Sequence, residues 1–91
     1  MDSQLTPKLV EAVEHAVAGE WQRAHLIVQD HDGDHIANWI HAVVHRMEGD
    51  LGNARYWYKR SGRTLRDDVS IEAELQEIRA ELQVKPAAPR R

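Results

Sequence analysis

Two segments of this chain match thirty positions apart. Residues 19–24 read G-E-W-Q-R-A and residues 49–54 read G-D-L-G-N-A. The match extends upstream, where Ala12, Val13, His15 and Gly19 recur as Ala42, Val43, His45 and Gly49. A period near thirty with glycine at each helix boundary is the mark of stacked helical hairpins, each covering an apolar face of its neighbour. Ninety-one residues are enough for one such domain with a modest core.

The spacing predicts five helices. The first spans 7–18, with Thr6 as N-cap, Pro7 in the first turn and Leu9, Val13, Ala16 and Val17 facing inward. Gly19 stops it. The second spans 20–29 and turns Trp21, Ala24, Ile27 and Val28 inward. In the polar turn that follows, Asp32 or Asp34 can cap a third helix over 35–48, striped by Ile36, Ile40, Val43 and Met47. Gly49 ends it, and a fourth helix over 50–61 carries Leu51, Ala54 and Tyr58. Asp67, Asp68 or Ser70 opens the fifth, with Ile71, Leu75, Ile78 and Leu82 at helical spacing. The fold expected is all-α: two tetratricopeptide-like hairpins plus a C-terminal capping helix, one helical-repeat domain over 1–84. A disordered tail follows at 85–91. The tetratricopeptide period is about 34. The period of 30 and an incomplete consensus make this chain like those repeats rather than one of them. Two hairpins are fewer than a solenoid needs, so a homodimer is one way to bury what the fifth helix leaves open.

Composition narrows the function classes. There is no cysteine, which excludes disulfides and thiolate zinc sites and fits a reducing, cytoplasmic setting. There is no phenylalanine, so Trp21, Trp39 and Trp57 supply the core's bulk. No signal peptide is visible, and no apolar stretch approaches the ~20 residues of a membrane span. Twelve basic against fifteen acidic residues argue against general nucleic-acid binding.

Four groups of residues can carry chemistry. His41 and His45 stand one turn apart with Glu48 beyond them, at about 140°, 180° and 120° around the helix from Ile36. The apolar stripe lies elsewhere, so the trio is expected to point away from the core. Two imidazoles and a carboxylate can hold a divalent metal such as zinc. A solvated helix face is the first reading of the trio, a metal-free polar pocket the second and a metal site the third, and no H-E-x-x-H pattern is present because Ala42 stands where its Glu would. Asp30, Asp32, Gly33 and Asp34 resemble a calcium loop only superficially, since His35 and His41 occupy the positions an EF-hand reserves for Gly and Glu. Tyr56, Trp57 and Tyr58 fan around the fourth helix. Tyr58 is expected inside, Trp57 against the fifth helix and Tyr56 outside. Arg55, Lys59, Arg60, Arg63 and Arg66 form a basic run. Helix-dipole complementation suffices for two or three of them, and five cations beside aromatics can also hold a phosphate or an acidic partner. An Arg46–Asp50 ion pair would be structural. No nucleophile arrangement and no phosphate-cradling glycine loop is visible.

The string from Trp39 to Arg63 resembles a signature of small, uncharacterised α-helical bacterial proteins with longer fungal relatives: W-x-H-A-x-x-H-R-x-E-G-D-x-x-N-A-x-Y-W-Y/F-x-R. Residues 21–29 resemble their W/L-x-x-A-H-x-I-x-Q element. The resemblance places the shared pattern on His25, Trp39, His41, His45, Arg46, Glu48, Asp50, Asn53, Tyr56, Trp57, Tyr58 and Arg60. It implies a shared polar pocket, with His25 approaching His41 and His45 across the hairpin junction.

The function expected is a non-catalytic interaction or small-ligand-binding module on the third and fourth helices. Its ligand-binding residues would be His41, His45, Arg46, Glu48, Asn53, Tyr56, Trp57 and Arg60, taking a protein or a small anionic ligand. The alternative is a divalent-metal-binding protein or metal-dependent hydrolase using His41, His45 and Glu48. No residue is assigned a catalytic role.

Overall fold

A computed structural model describes residues 5–83 as five helices: α1 (Leu5–Val17), α2 (Trp21–Val28), α3 (His35–Glu48), α4 (Leu51–Arg60) and α5 (Ile71–Gln83). The described residues are all helix, turn and loop. None of the helices is long and apolar enough to cross a membrane. The expected tail at 85–91 lies outside the described residues.

Local chemistry sets the boundaries. Asp34 caps α3, its Oδ1 accepting from the Ile36 and Ala37 amides at 2.9 Å each. Asp50 opens α4 by accepting from the Asn53 amide. Ser70 opens α5, its hydroxyl accepting from the Ala73 amide. Gly19 and Gly49 end α1 and α3 at φ 84° and 89°, a left-handed conformation that glycine alone adopts without a Cβ penalty. Both turns have the same hydrogen bonds. The glycine amide bonds to Ala16 or Arg46, and the next amide reaches back to His15 or His45. Thr6 lies inside α1 rather than capping it, because the helix begins at Leu5.

Helix α3 is the axis of the molecule and packs against α1, α2, α4 and α5. Every residue from Ala37 to Val44 is buried. A helix enclosed on all sides has no solvent face, which overturns the expectation that His41 points away from the core. The core gathers Leu9, Val13, Val28, Ile40, Val43, Tyr58, Leu75 and Ile78 around it. Val17 and Leu51, expected inside, stand at the ends of their helices and are 40% and 42% exposed.

Below this core sits a polar junction. Glu74 of α5 is 1% exposed. Its Oε1 accepts from Arg46 Nη1 at 2.8 Å and from the Tyr58 hydroxyl at 2.7 Å. Its Oε2 accepts from the Trp39 indole at 2.8 Å. Arg46 therefore pairs with Glu74, not with Asp50, and also donates to the Val69 carbonyl. One carboxylate so joins α5 to both α3 and α4. Burial, and then the adjoining carboxylate, raise the Tyr58 hydroxyl above its ordinary pKa, which keeps it a donor.

Candidate metal centre

The face of α3 opposite the Glu74 junction carries His41 and His45. On successive turns their rings stack, with centroids 5.1 Å apart and planes at 21°. Helix α2 crosses this face and brings in His25, whose ring meets His41 edge-on at 4.7 Å and His45 at 5.5 Å. One ligating nitrogen from each of the three rings lies within 4.8 Å of the others. Two nitrogens on one tetrahedral zinc ion, each at 2.0–2.1 Å, stand about 3.4 Å apart.

Trp57 of α4 forms the wall. Its ring stacks on His41 with centroids 3.9 Å apart and planes at 11°. Trp57 therefore packs on the histidines rather than on α5. His41 is left 4% exposed, and its Nδ1 is buried with no hydrogen-bond partner. A buried polar atom in that state costs roughly 1–3 kcal/mol. Burial, reinforced by the neighbouring His25 and His45, pushes the His41 pKa down to about 3. Burial also lowers that of His25, with His45 adding to the effect and Glu48 opposing it. At neutral pH both rings are uncharged, the form in which imidazole gives a lone pair to a metal.

Glu48 stands behind His45. Its Oε1 lies 2.8 Å from His45 Nδ1. An ionised carboxylate only accepts, so His45 Nδ1 is the donor of this bond and Nε2 is the ring nitrogen turned away from Glu48. A carboxylate so placed fixes the ring's tautomer and orientation. Glu48 and Asp50 also come close to His45 as a second group of ligating atoms, but both carboxylates face solvent or are half-exposed.

The remaining expected site residues divide. Arg60 stands over Trp57 at 5.3 Å and Tyr56 at 5.9 Å, and donates to the Asp32 carbonyl. Tyr56 is 54% exposed and meets Trp57 edge-on. These two border the histidines on the outer side. Arg46 is withdrawn to the Glu74 junction on the other face of α3. Asn53 is held by Asp50, donating from Nδ2 to Oδ2 at 2.8 Å.

Sequence reasoning missed Glu74. The signal was there, because Glu74 lies three residues after Ile71 and four before Ile78, at the edge of an apolar stripe. Comparison of the chain with protein-family models, with characterised proteins and with solved structures finds no match.

Proposed function

We propose that this protein is a divalent-metal-binding helical module whose ligands are His25, His41 and His45. The observation that carries the reading is the convergence of three imidazoles from two helices around a buried, unpartnered Nδ1. Three imidazole nitrogens and no thiolate suit zinc, nickel or copper better than magnesium, calcium or manganese. Glu48 acts as the positioning residue for His45 rather than as a ligand. Three protein ligands leave a coordination position open, so a metal-dependent hydrolase is the catalytic form of the same reading.

The architecture belongs to this reading. We take α1–α2 and α3–α4 as two tetratricopeptide-like hairpins of period 30, supported by the matching turns at Gly19 and Gly49. A metal held by His25 and His41 would pin the first hairpin to the second. A second reading, an interaction surface for a protein or a second copy of the chain, is favoured by exposed Leu26 and Tyr56, which hold corresponding positions thirty residues apart. The signature shared with small bacterial helical proteins fits either reading, as does a cytoplasmic setting.

The test is calorimetric titration of metal-stripped protein with Zn²⁺, Ni²⁺ and Mn²⁺, alongside thermal unfolding. One equivalent of Zn²⁺ or Ni²⁺ should bind and raise Tm, with Mn²⁺ much weaker. His25→Ala, His41→Ala and His45→Ala should each abolish the shift, while a His31→Ala/His35→Ala control keeps it. Glu48→Gln should bind about 10–100-fold more weakly. A shift that survives all three histidine substitutions, or no binding to the wild type, would sink the proposal.

A further inference from the structure

The basic run does not act as one patch. Arg66 is held by Glu77, with Nη2 2.6 Å from Oε1, and Arg60 leans over Tyr56 and Trp57. The other three gather elsewhere. Arg55 and Lys59, one turn apart on α4, join Arg63, Thr64, Leu65 and Asp67 of the connection to α5 around an open cleft of about 490 Å³.

These cations differ from the charge-paired arginines of the fold. Arg46, Arg66 and Arg79 each meet a carboxylate. The side chains of Arg55 and Lys59 have no hydrogen-bond or ion-pair partner among the described residues. Arg63 lays its guanidinium over the Trp39 ring at 3.7 Å, and that group donates to the Ser61 carbonyl rather than to a carboxylate. Three cations face one acid, Asp67, which leaves two positive charges unbalanced at the cleft of a chain whose net charge is −3. The α4 dipole accounts for Lys59 in its last turn. It does not account for Arg55, five residues before the helix end, or for Arg63 beyond it. Like charges one turn apart repel each other in the absence of an anion.

The cleft's shape and lining narrow the ligand. Its volume falls in the ~300–1,000 Å³ range of small-molecule sites. Leu65 is half-buried and, with the alkyl stems of Arg55 and Lys59, gives an apolar floor. Thr64 offers a hydroxyl. Asp67 repels a bare polyanion and accepts from a hydroxyl or amino group. We infer that this cleft binds a small organic phosphate with at least two negative charges and a hydrogen-bond-donating body, of the sugar-bisphosphate or nucleoside-diphosphate class. The site is separate from the histidine centre and does not depend on it.

The experiment is calorimetric titration, in the presence of a chelator, with ADP, fructose 1,6-bisphosphate, inorganic pyrophosphate and a hexaglutamate peptide. Saturable binding of ADP or the sugar bisphosphate is expected, tighter than that of pyrophosphate. Arg55→Ala and Lys59→Ala should each weaken it about tenfold or more, as loss of a charge-assisted contact does. Lys8→Ala, which removes the same charge from α1, should leave it unchanged. These side chains are exposed, so the variants fold. The inference is overturned if neither organic phosphate binds, if binding survives an Arg55→Ala/Lys59→Ala double variant, or if hexaglutamate binds more tightly than both. With metal absent throughout, failure here leaves the metal reading standing.

Discussion

Replacing Glu74 with alanine should cost more stability than any other single side-chain truncation on α5. The substitution removes the acceptor of three donors: the buried Trp39 indole at 2.8 Å and Tyr58 hydroxyl at 2.7 Å, and the largely covered Arg46 Nη1 at 2.8 Å. Arg46, with a side chain 12% exposed, keeps only the Val69 carbonyl. Stranding one partner of a buried ion pair costs roughly 3–5 kcal/mol. The two neutral donors left unpaired add to this, less than additively because all three share one carboxylate. A loss of about 4 kcal/mol is a large share of the ~5–15 kcal/mol that stabilises a small domain. At roughly 4–8 °C per kcal/mol for a domain of this size, Tm should fall by about 16–32 °C. Thermal and urea unfolding followed by circular dichroism read this directly. Glu74→Gln keeps one acceptor oxygen and should fall between alanine and wild type. Adding Arg46→Met to Glu74→Ala should recover part of the loss, because the stranded charge is then gone. A Glu74→Ala protein melting within a few degrees of wild type, or a double variant worse than the sum of its parts, would refute the account of α5 as fastened through this carboxylate.

Other perturbations test other links. Gly49→Ala meets no atom within 4 Å of the added Cβ, so its cost is that of holding alanine at φ 89°, about 1–2 kcal/mol, read as a lower urea midpoint. Asp34→Ala strips two amides of their acceptor and should cost about 1 kcal/mol by the same assay. The pH dependence of the metal-free protein has a definite sign. The His41 pKa is pushed down to about 3 from 6.5, so below 6.5 the unfolded chain binds a proton that the native ring refuses. Stability is therefore full above 6.5 and falls as pH drops toward 3, by at most about 1.4 kcal/mol per pH unit for this one group. The lowered pKa of His25 acts in the same direction. Unfolding between pH 7 and 5 isolates the effect from most carboxylates. A flat profile, or an unchanged slope in His41→Phe, would contradict it.

Boundaries were legible in the sequence wherever a single residue sets them. Asp34 and Gly49 delimit α3 at 35–48 because a carboxylate at the N-cap and a glycine past the last turn act within one turn of themselves. Facing was harder to read. A helical wheel assumes one covered side, and α3 is covered on all sides by four other helices, so His41 read as exposed when it is buried. Partnership across the fold was not legible. Arg46 had a plausible neighbour in Asp50, four residues on, and only the packing of α5 brings Glu74 to it. Trp57 likewise has its partner on α3 and not on α5, since α4 leans its indole across His41.

The polar residues of the 39–60 segment can be sorted by what the fold requires of them. Trp39, Arg46 and Tyr58 converge on Glu74 and hold α5 in place. Asp50 and Asn53 build the turn into α4. These duties account for their chemistry without any ligand. The histidines have no such account. His41 sits in the longest buried stretch of the described residues, and its Nδ1 is left there without a hydrogen-bond partner. His25 and His45 crowd a second and a third ring toward it, which makes protonation of His41 dearer still. A core that tolerates this arrangement gives up stability at a position where it could have kept it. Under the function proposed above, the cost is recovered when a divalent cation accepts lone pairs from the three rings, whose ligating atoms already lie within 4.8 Å of one another.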